Sequence, residues 1–274
     1  MIMRKLLILL LIISAMLADS CSAPLTLLHI NDTHSHIEPI RSGQYKGLGG
    51  VMEQAAYVDS VRCADGKRNV MLLHAGDFGQ GTSYFTELDG NIEIEVLNAM
   101  GFDAVCLGNH EFDKGFDDLA RRLEDLEAPA LCANYDFTAT SLEKHVVPYT
   151  VVRKAGKKWG IIGVLTDMSS AIESKTASAL SYKSPAEVVN HYAAFLKNEE
   201  GCDKVICLTH LGYEGDFYTD QDLAVQTRNV DYIVGGHSHT FLDAPKILAN
   251  LDGQEVVIVT AGYRGINFGK FKIR

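Results

Sequence analysis

Histidine, aspartate and asparagine side chains recur in five turns of this chain, each directly after an apolar run. An apolar run of this length is typical of a buried strand, and these polar side chains are of types that bind metal ions. The candidate ligands are Asp32, His34, Asp77, Asn109, His210, His237 and His239. Because α/β proteins bind ligands at the carboxyl ends of strands, we expect the five turns to converge on one edge.

The spacing and number of these residues indicate how many ions they hold. Asp32 and His34, like His237 and His239, are two residues apart. On an extended segment such residues point the same way, so each pair is predicted to grip one ion. A single histidine after a strand is more often an ordinary core residue than a ligand. Four imidazoles, two carboxylates and one amide are too many for one tetrahedral ion and fit two divalent ions, such as zinc or manganese, sharing a carboxylate.

The turn from Gly108 to Gly115, with the sequence Gly-Asn-His-Glu-Phe-Asp-Lys-Gly, is the densest of these groups. By itself it could be an ordinary helix cap, because asparagine and aspartate are common there. His110 and Asp113 are three residues apart, so Asp113 can hold one imidazole nitrogen while the other faces a substrate. Glu111 is predicted to face away from the site and to pack or cap.

The amino-terminal segment is predicted to be an export signal. A short basic segment precedes twelve apolar or small residues, 6–17, which are too few to span a bilayer, since this takes about 20. Residues 1–20 therefore form the predicted signal peptide, with Cys21 as a lipidated mature amino terminus. Cleavage by ordinary signal peptidase after Ala23 is the alternative. We expect a periplasmic or cell-surface protein that meets the membrane only through the lipid on Cys21.

Charge and cysteine content restrict the partners and the class of metal site. The 274-residue chain has 25 basic and 35 acidic residues and a net charge of −10, which argues against binding of long nucleic acid. A small phosphorylated substrate is compatible with this charge if bound metal supplies positive charge locally. Cys106, Cys132 and Cys207 lie in apolar runs and are predicted to be core residues, and no Cys-x-x-Cys pair indicates a thiolate site.

The elements that position the candidate ligands form one α/β domain in which strands alternate with helices. Val146–Val152 and Trp159–Leu165 are predicted to form a hairpin, because a basic turn joins them. Residues 167–184 are predicted to form a surface loop. Further strands are predicted at 25–30, 70–75, 103–107, 130–133, 204–209, 230–234, 256–260 and 268–273, and helices at 51–64, 92–100, 116–126, 185–197 and 220–227. This order suggests two packed sheets with helices outside.

Taken together, the turn motifs resemble those of the calcineurin-like metallophosphoesterase superfamily. The strings that carry the resemblance are HINDTHSH, AGDFGQGT, LGNHEFDKG, LTHLG and VGGHSHT. They are similar to the amino-terminal catalytic domain of 5′-nucleotidases and their UDP-sugar hydrolase relatives over residues 25–274. The resemblance implies a four-layer α-β-β-α sandwich of two mixed β-sheets flanked by helices.

The resemblance also implies a role for each candidate residue. One metal would be held by Asp32, His34, Asp77 and His239. The second would be held by Asp77, Asn109, His210 and His237, with Asp77 as the bridge. His110, oriented by Asp113, would be the catalytic dyad, and Asn109 and His110 would contact the substrate. A metal-bound hydroxide would attack phosphorus in line with the leaving oxygen.

The implied function is an exported two-metal phosphoesterase that hydrolyses phosphate monoesters, foremost nucleoside 5′-monophosphates. Two alternatives stay open: a phosphodiesterase or pyrophosphohydrolase acting on 2′,3′-cyclic nucleotides or UDP-sugars, and a non-catalytic exported protein that binds metal. In the nucleotidases a separate carboxyl-terminal domain supplies aromatic and arginine side chains for the substrate. We expect either a separate nucleotide-binding polypeptide as partner or simpler phosphate esters as substrates.

Overall fold

The computed structural model describes residues 23–170 and 180–273. The predicted signal peptide 1–20 and Cys21 lie outside the described residues, as does part of the predicted loop 167–184. Within the described ranges, no helix is both long enough and apolar enough to cross a membrane.

Most strands lie where the apolar runs predict them. In chain order they are β1 (Leu25–Ile30), β2 (Val70–His74), β3 (Ala104–Cys106), β4 (Ala130–Leu131), β5 (Val146–Val147), β6 (Tyr149–Lys154), β7 (Lys157–Leu165), β8 (Lys204–His210), β9 (Tyr232–Val234), β10 (Lys246–Ala249), β11 (Glu255–Val259) and β12 (Gly269–Ile273). The helices are α1 (Val51–Asp65), α2 (Ser83–Glu87), α3 (Asn91–Met100), α4 (Phe116–Leu123), α5 (Pro185–Asn198) and α6 (Asp220–Gln226). Short 3-10 turns lie at Lys67–Asn69, His110–Phe112 and Met168–Ser170.

The strands form two six-stranded mixed sheets. The first has the order β12-β1-β2-β3-β4-β5, and the second β10-β11-β9-β8-β7-β6. In the first sheet only β12 runs antiparallel to its neighbour, and in the second β6 and β10 do. The parallel strands β1, β2, β3, β8 and β9 therefore direct their carboxyl ends to the same side of their sheets.

Three apolar layers hold the sheets and helices together. Between the sheets, side chains of β1 to β3, such as Leu73, pack against Trp159 and Leu208 of the second sheet. The outer face of the first sheet packs on α1, α3 and α4. The outer face of the second packs on α5 and α6. The predicted arrangement of two mixed sheets flanked by helices is confirmed, and Cys106, Cys132 and Cys207 are buried as predicted.

The predicted strand Val146–Val152 is wrong, because the chain changes sheets within it. Val146 and Val147 pair with β4 in the first sheet, whereas β6 begins at Tyr149 and pairs with β7 in the second. Pro148 separates the two segments and has no N–H to continue a ladder, although its carbonyl accepts a hydrogen bond from Gly163 (3.1 Å). The hairpin of β6 and β7 is confirmed. Strand β10 was not predicted, because its mostly exposed side chains show no alternation.

The two sheets approach most closely where Gly163 of β7 faces Leu131 of β4. A Cβ atom at Gly163 would overlap the backbone of Leu131, which belongs to the opposite sheet. At Gly160, on the same strand, the nearest atom would be a methyl group of Leu196 at 2.7 Å, and this side chain can turn away. Only a glycine at 163 therefore permits the observed sheet separation.

We expect Gly163→Ala to lower the free energy of unfolding by about 1–3 kcal/mol, the usual cost of overpacking a core. Gly160→Ala is the matched control and should cost less, because only the Leu196 side chain must move. Urea unfolding followed by circular dichroism compares the two variants through their midpoints. Equal midpoints would contradict the close approach described here.

Candidate active site

The turns after β1 and β2 lie side by side and are joined through their backbones. The N–H of Asp32 donates to the carbonyl of Gly76 (2.9 Å), and the N–H of His34 donates to that of Asp77 (3.0 Å). The three non-glycine residues of this contact have positive φ, with values of 51° at Asp32, 47° at His34 and 55° at Asp77. Such strained backbone is found mainly at functional sites, where the surrounding structure compensates for its cost.

The prediction that extended pairs of residues each grip one ion is wrong in its geometry. Asp32 and His34 do meet, but through a tight left-handed turn and not along an extended strand. His237 and His239 also have positive φ, 77° and 55°. Their side chains separate, and each histidine joins a different group of ligands. The period-two rule fails because it applies to strands, and these residues follow the strands.

The predicted ligand residues assemble into two neighbouring clusters, within each of which the ligand atoms lie within 4.8 Å of one another. The first cluster contains Asp32, His34 and His239. The second contains Asp77, His210 and His237. The Oδ2 atom of Asp77 lies 3.0 Å from Nε2 of His210, in its own cluster. The same atom lies 3.9 Å from Nε2 of His34, in the first cluster. Its carboxylate is thus placed between the two clusters.

Asn109 and His210 contribute buried polar atoms to the site. Nδ1 of His210 lies 2.7 Å from the carbonyl oxygen of Ala75 and can donate to it, which directs Nε2 at the carboxylate of Asp77, 3.0 Å from Oδ2. Within the described residues, Oδ1 of Asn109 is buried and makes no hydrogen bond. A buried acceptor without a donor is costly unless a cation or water satisfies it. The donor set therefore fits two divalent cations with nitrogen and oxygen ligands.

The charges of the two clusters suit cation binding. Burial alone would lower the pKa of His210, but Asp77 and Asp32 raise it to about 10. Burial lowers the pKa of His237 to about 4, so this ring is neutral at neutral pH. His210 in turn holds the pKa of the Asp77 carboxyl well below its usual value, against the effect of burial. A cation entering the second cluster would displace the His210 proton, as metal binding to histidine generally does.

His110 and Asp113 lie beside the clusters and contact each other as predicted. Nδ1 of His110 is 2.9 Å from Oδ2 of Asp113, so Nε2 is the nitrogen available to a substrate. The hydrogen bond with Asp113 raises the pKa of His110 to about 9, against the opposing effect of partial burial. The backbone N–H of His110 donates to Oδ1 of Asp77 (3.0 Å). At neutral pH His110 is therefore a cationic hydrogen-bond donor.

Glu111 holds the site together from behind. Its fully buried carboxylate accepts hydrogen bonds from the backbone N–H groups of Asp77 (2.9 Å), Gly79 (2.9 Å) and Gly108 (2.6 Å). Burial and the charge of Asp77 raise the pKa of Glu111 to about 7. The prediction that this residue packs or caps is confirmed, because its carboxylate caps the turns that carry Asp77 and Asn109.

The pocket at this edge also contains residues that sequence reasoning missed. Its lining consists of His34, His36, Asp77, Gln80, Gly81, Asn109, His110, His237, His239, Tyr263 and Arg264. Tyr263 and Arg264 follow β11, whose carboxyl end lies beside those of β8 and β9. They had no signal of the kind used for the ligands, because neither residue type is a usual metal ligand. Their position after a strand was the one available sign.

Comparisons with known proteins agree with this geometry. Residues 25–241 match the protein family described as calcineurin-like phosphoesterase. A 5′-nucleotidase of Diplobatis ommata is 34% identical over 267 residues, which cover 90% of this chain and 44% of that protein. A probable 5′-nucleotidase of Treponema pallidum is 30% identical, covering 91% of this chain and 44% of that protein. The chain thus spans less than half the length of these curated relatives.

Two solved structures are similar in fold and in sequence. A 5′-nucleotidase precursor from Thermus thermophilus superimposes with a TM-score of 0.82 at 33% identity, covering 92% of this chain and 51% of that one. A NAD nucleotidase from Haemophilus influenzae superimposes with a TM-score of 0.79 at 30% identity, covering 91% and 47%. In both, about half of the solved chain corresponds to the domain described here.

We expect Asp77→Asn to bind at most one divalent ion per chain, compared with two in the unmodified protein, because its carboxylate faces both clusters. Asp113→Asn is the control and should keep both ions, since Asp113 belongs to neither cluster. Metal content after loading with Mn²⁺ and dialysis is measured by plasma mass spectrometry. An unchanged stoichiometry in Asp77→Asn would contradict the shared position of this carboxylate.

Proposed function

This chain belongs to the calcineurin-like phosphoesterase family, and we propose that it is an exported two-metal enzyme that hydrolyses nucleoside 5′-monophosphates. Family membership makes it a metal-dependent phosphoester hydrolase. The observation that carries the finer proposal is the pairing of the two ligand clusters with the His110–Asp113 dyad in one pocket. A purely structural metal site would not need a dyad, which argues against the non-catalytic alternative.

The proposed metal positions follow the two clusters. One ion is assigned to Asp32, His34, Asp77 and His239, and the other to Asp77, Asn109, His210 and His237. When bound, two such ions neutralise the charge of a phosphoryl group and lower the pKa of water. Asn109 is also assigned to the substrate, because it borders the pocket next to His110.

His110 is assigned to the leaving oxygen. Asp113 fixes the ring through Nδ1, so that Nε2–H donates to the oxygen on which negative charge develops. The hydrogen bond with Asp113 raises the pKa of His110, which favours the protonated ring that this role requires. A neutral alcohol can then leave in place of an alkoxide.

The substrate class is proposed from the relatives. The Diplobatis ommata and Thermus thermophilus proteins are both described as 5′-nucleotidases and are at least 33% identical to this chain. A second candidate is cleavage of a pyrophosphate bond, which the similarity to the Haemophilus influenzae NAD nucleotidase favours.

We expect the purified protein loaded with Mn²⁺ to release phosphate from AMP and a chelator to abolish this activity. His110→Ala should lower kcat by about 100-fold or more, the usual contribution of a general acid. His191→Ala, at an exposed position of α5 away from the pocket, is the control and should keep full activity. Phosphate release measured with a colorimetric assay decides the matter. Unchanged turnover in His110→Ala would refute the assigned role.

Export and lipid anchoring are proposed from the amino-terminal segment. We expect the mature protein to begin at Cys21 and to carry a lipid there, so that it partitions with membranes. Mass spectrometry of the amino-terminal peptide from the natural host measures both the start and the modification. A mature protein that begins at Pro24, after cleavage following Ala23, would favour release as a free protein instead.

A further inference from the structure

Arg264 is an exposed cation at the mouth of the pocket that contains both ligand clusters. Among the described residues that line the pocket, Asp77 is the single carboxylate and Arg264 is the single lysine or arginine. Within the described part of the chain, no carboxylate lies within ion-pair distance of its guanidinium group. The charge of Arg264 is therefore available to an anion that enters the pocket.

The backbone of Arg264 has a left-handed conformation and is hydrogen-bonded to the turn after β1. Its φ is 57°, in the left-handed region that glycine and asparagine adopt at lower cost. Its N–H donates to the carbonyl oxygen of Asp32 (2.6 Å), a residue of the first cluster. This hydrogen bond holds the backbone of Arg264 against the turn that presents Asp32.

Aromatic rings connect Arg264 to the ligand clusters. The guanidinium carbon lies 5.1 Å from the centre of the Tyr263 ring, a cation–π distance. The Tyr263 ring stacks on His239 at 5.0 Å with an interplanar angle of 8°. His239 lies 5.1 Å from the ring of His34, which lies 5.5 Å from that of His110. Arg264 and His110 therefore stand at opposite ends of this row of contacts.

We propose that Arg264 is a specificity-determining residue that binds a free, negatively charged oxygen of the substrate phosphoryl group and thereby favours phosphate monoesters over diesters. This inference rests on the proposed function, because it assumes that the phosphoryl group binds between the clusters. His110 faces the leaving oxygen, and Arg264 approaches from the other end of the row. In a monoester that end presents a free oxygen, which a guanidinium group can bind through two N–H donors. In a diester one of the non-leaving oxygens carries a second organic group and has no charge to offer.

The test compares an aryl phosphate monoester with the matching diester, p-nitrophenyl phosphate and bis(p-nitrophenyl) phosphate. In Arg264→Asn we expect kcat/KM for the monoester to fall about 10- to 100-fold, as the loss of a charge-assisted contact predicts. The value for the diester should change less than about threefold. For the monoester, kcat/KM of Arg264→Lys should lie between the values of the unmodified protein and of Arg264→Asn. Lysine keeps the charge but lacks the planar pair of donors.

Two further measurements separate recognition from structure. Isothermal titration calorimetry with inorganic phosphate should show about tenfold weaker binding to Arg264→Asn, with unchanged metal content. Thermal unfolding should show no loss of stability, because asparagine adopts a left-handed backbone more readily than arginine. Arg153→Asn is the charge-matched control. Arg153 is exposed at the end of the β6–β7 hairpin opposite the pocket, and this variant should behave as the unmodified protein does.

An equal loss for both esters, or no loss for either, would overturn the role of Arg264. So would unchanged phosphate binding in Arg264→Asn. If the unmodified, metal-loaded protein hydrolyses no phosphate ester, the proposed function fails, and Arg264 is then judged by phosphate binding alone. If Arg264→Asn is unstable, the same criteria apply to Arg264→Lys, whose effect on the monoester must exceed that on the diester.

Discussion

The position of Asp77 is the constraint on which the site depends. The residue is buried, its backbone has a positive φ of 55°, and each of its polar groups is engaged by a different part of the chain. Its N–H donates to Glu111, its carbonyl accepts from His34, one carboxylate oxygen accepts from the N–H of His110, and the other faces His210. The backbone and side chain of this one residue thus tie the carboxyl ends of β1, β2, β3 and β8 together.

This arrangement requires that several neighbouring residues have no side chain. A Cβ atom at Gly108 would overlap the carboxylate of Asp77, and one at Gly76 would lie 2.7 Å from Nδ1 of His210. At Gly236 it would lie 2.6 Å from the carbonyl oxygen of Ala75, the group that orients His210. The glycines in the turn motifs are therefore needed for close packing around the carboxylates. They do not form a phosphate-binding loop.

Much of the fold and of the site could be predicted because both depend on a repeated local pattern, an apolar strand followed by polar residues. That pattern places Asp32, Asp77, Asn109, His210 and His237 directly after strands. The pattern does not predict the direction of the side chains. Left-handed turns at Asp32 and His237 replace the extended geometry that the period-two rule assumes. The change of sheet at Pro148 depends on which strand lies nearby in space. Arg264 belongs to no motif, and its position at the site depends on the pairing of β11 with β9.

We propose that two cations share the carboxylate of Asp77 in this protein. Anomalous diffraction from crystals of the Mn²⁺-loaded protein, recorded near the manganese absorption edge, tests this claim most directly. We predict two anomalous peaks, one beside Asp32, His34 and His239 and the other beside Asn109, His210 and His237. Both peaks should lie within bonding distance of Asp77. A single peak, or two peaks of which one has no contact with Asp77, would contradict the account.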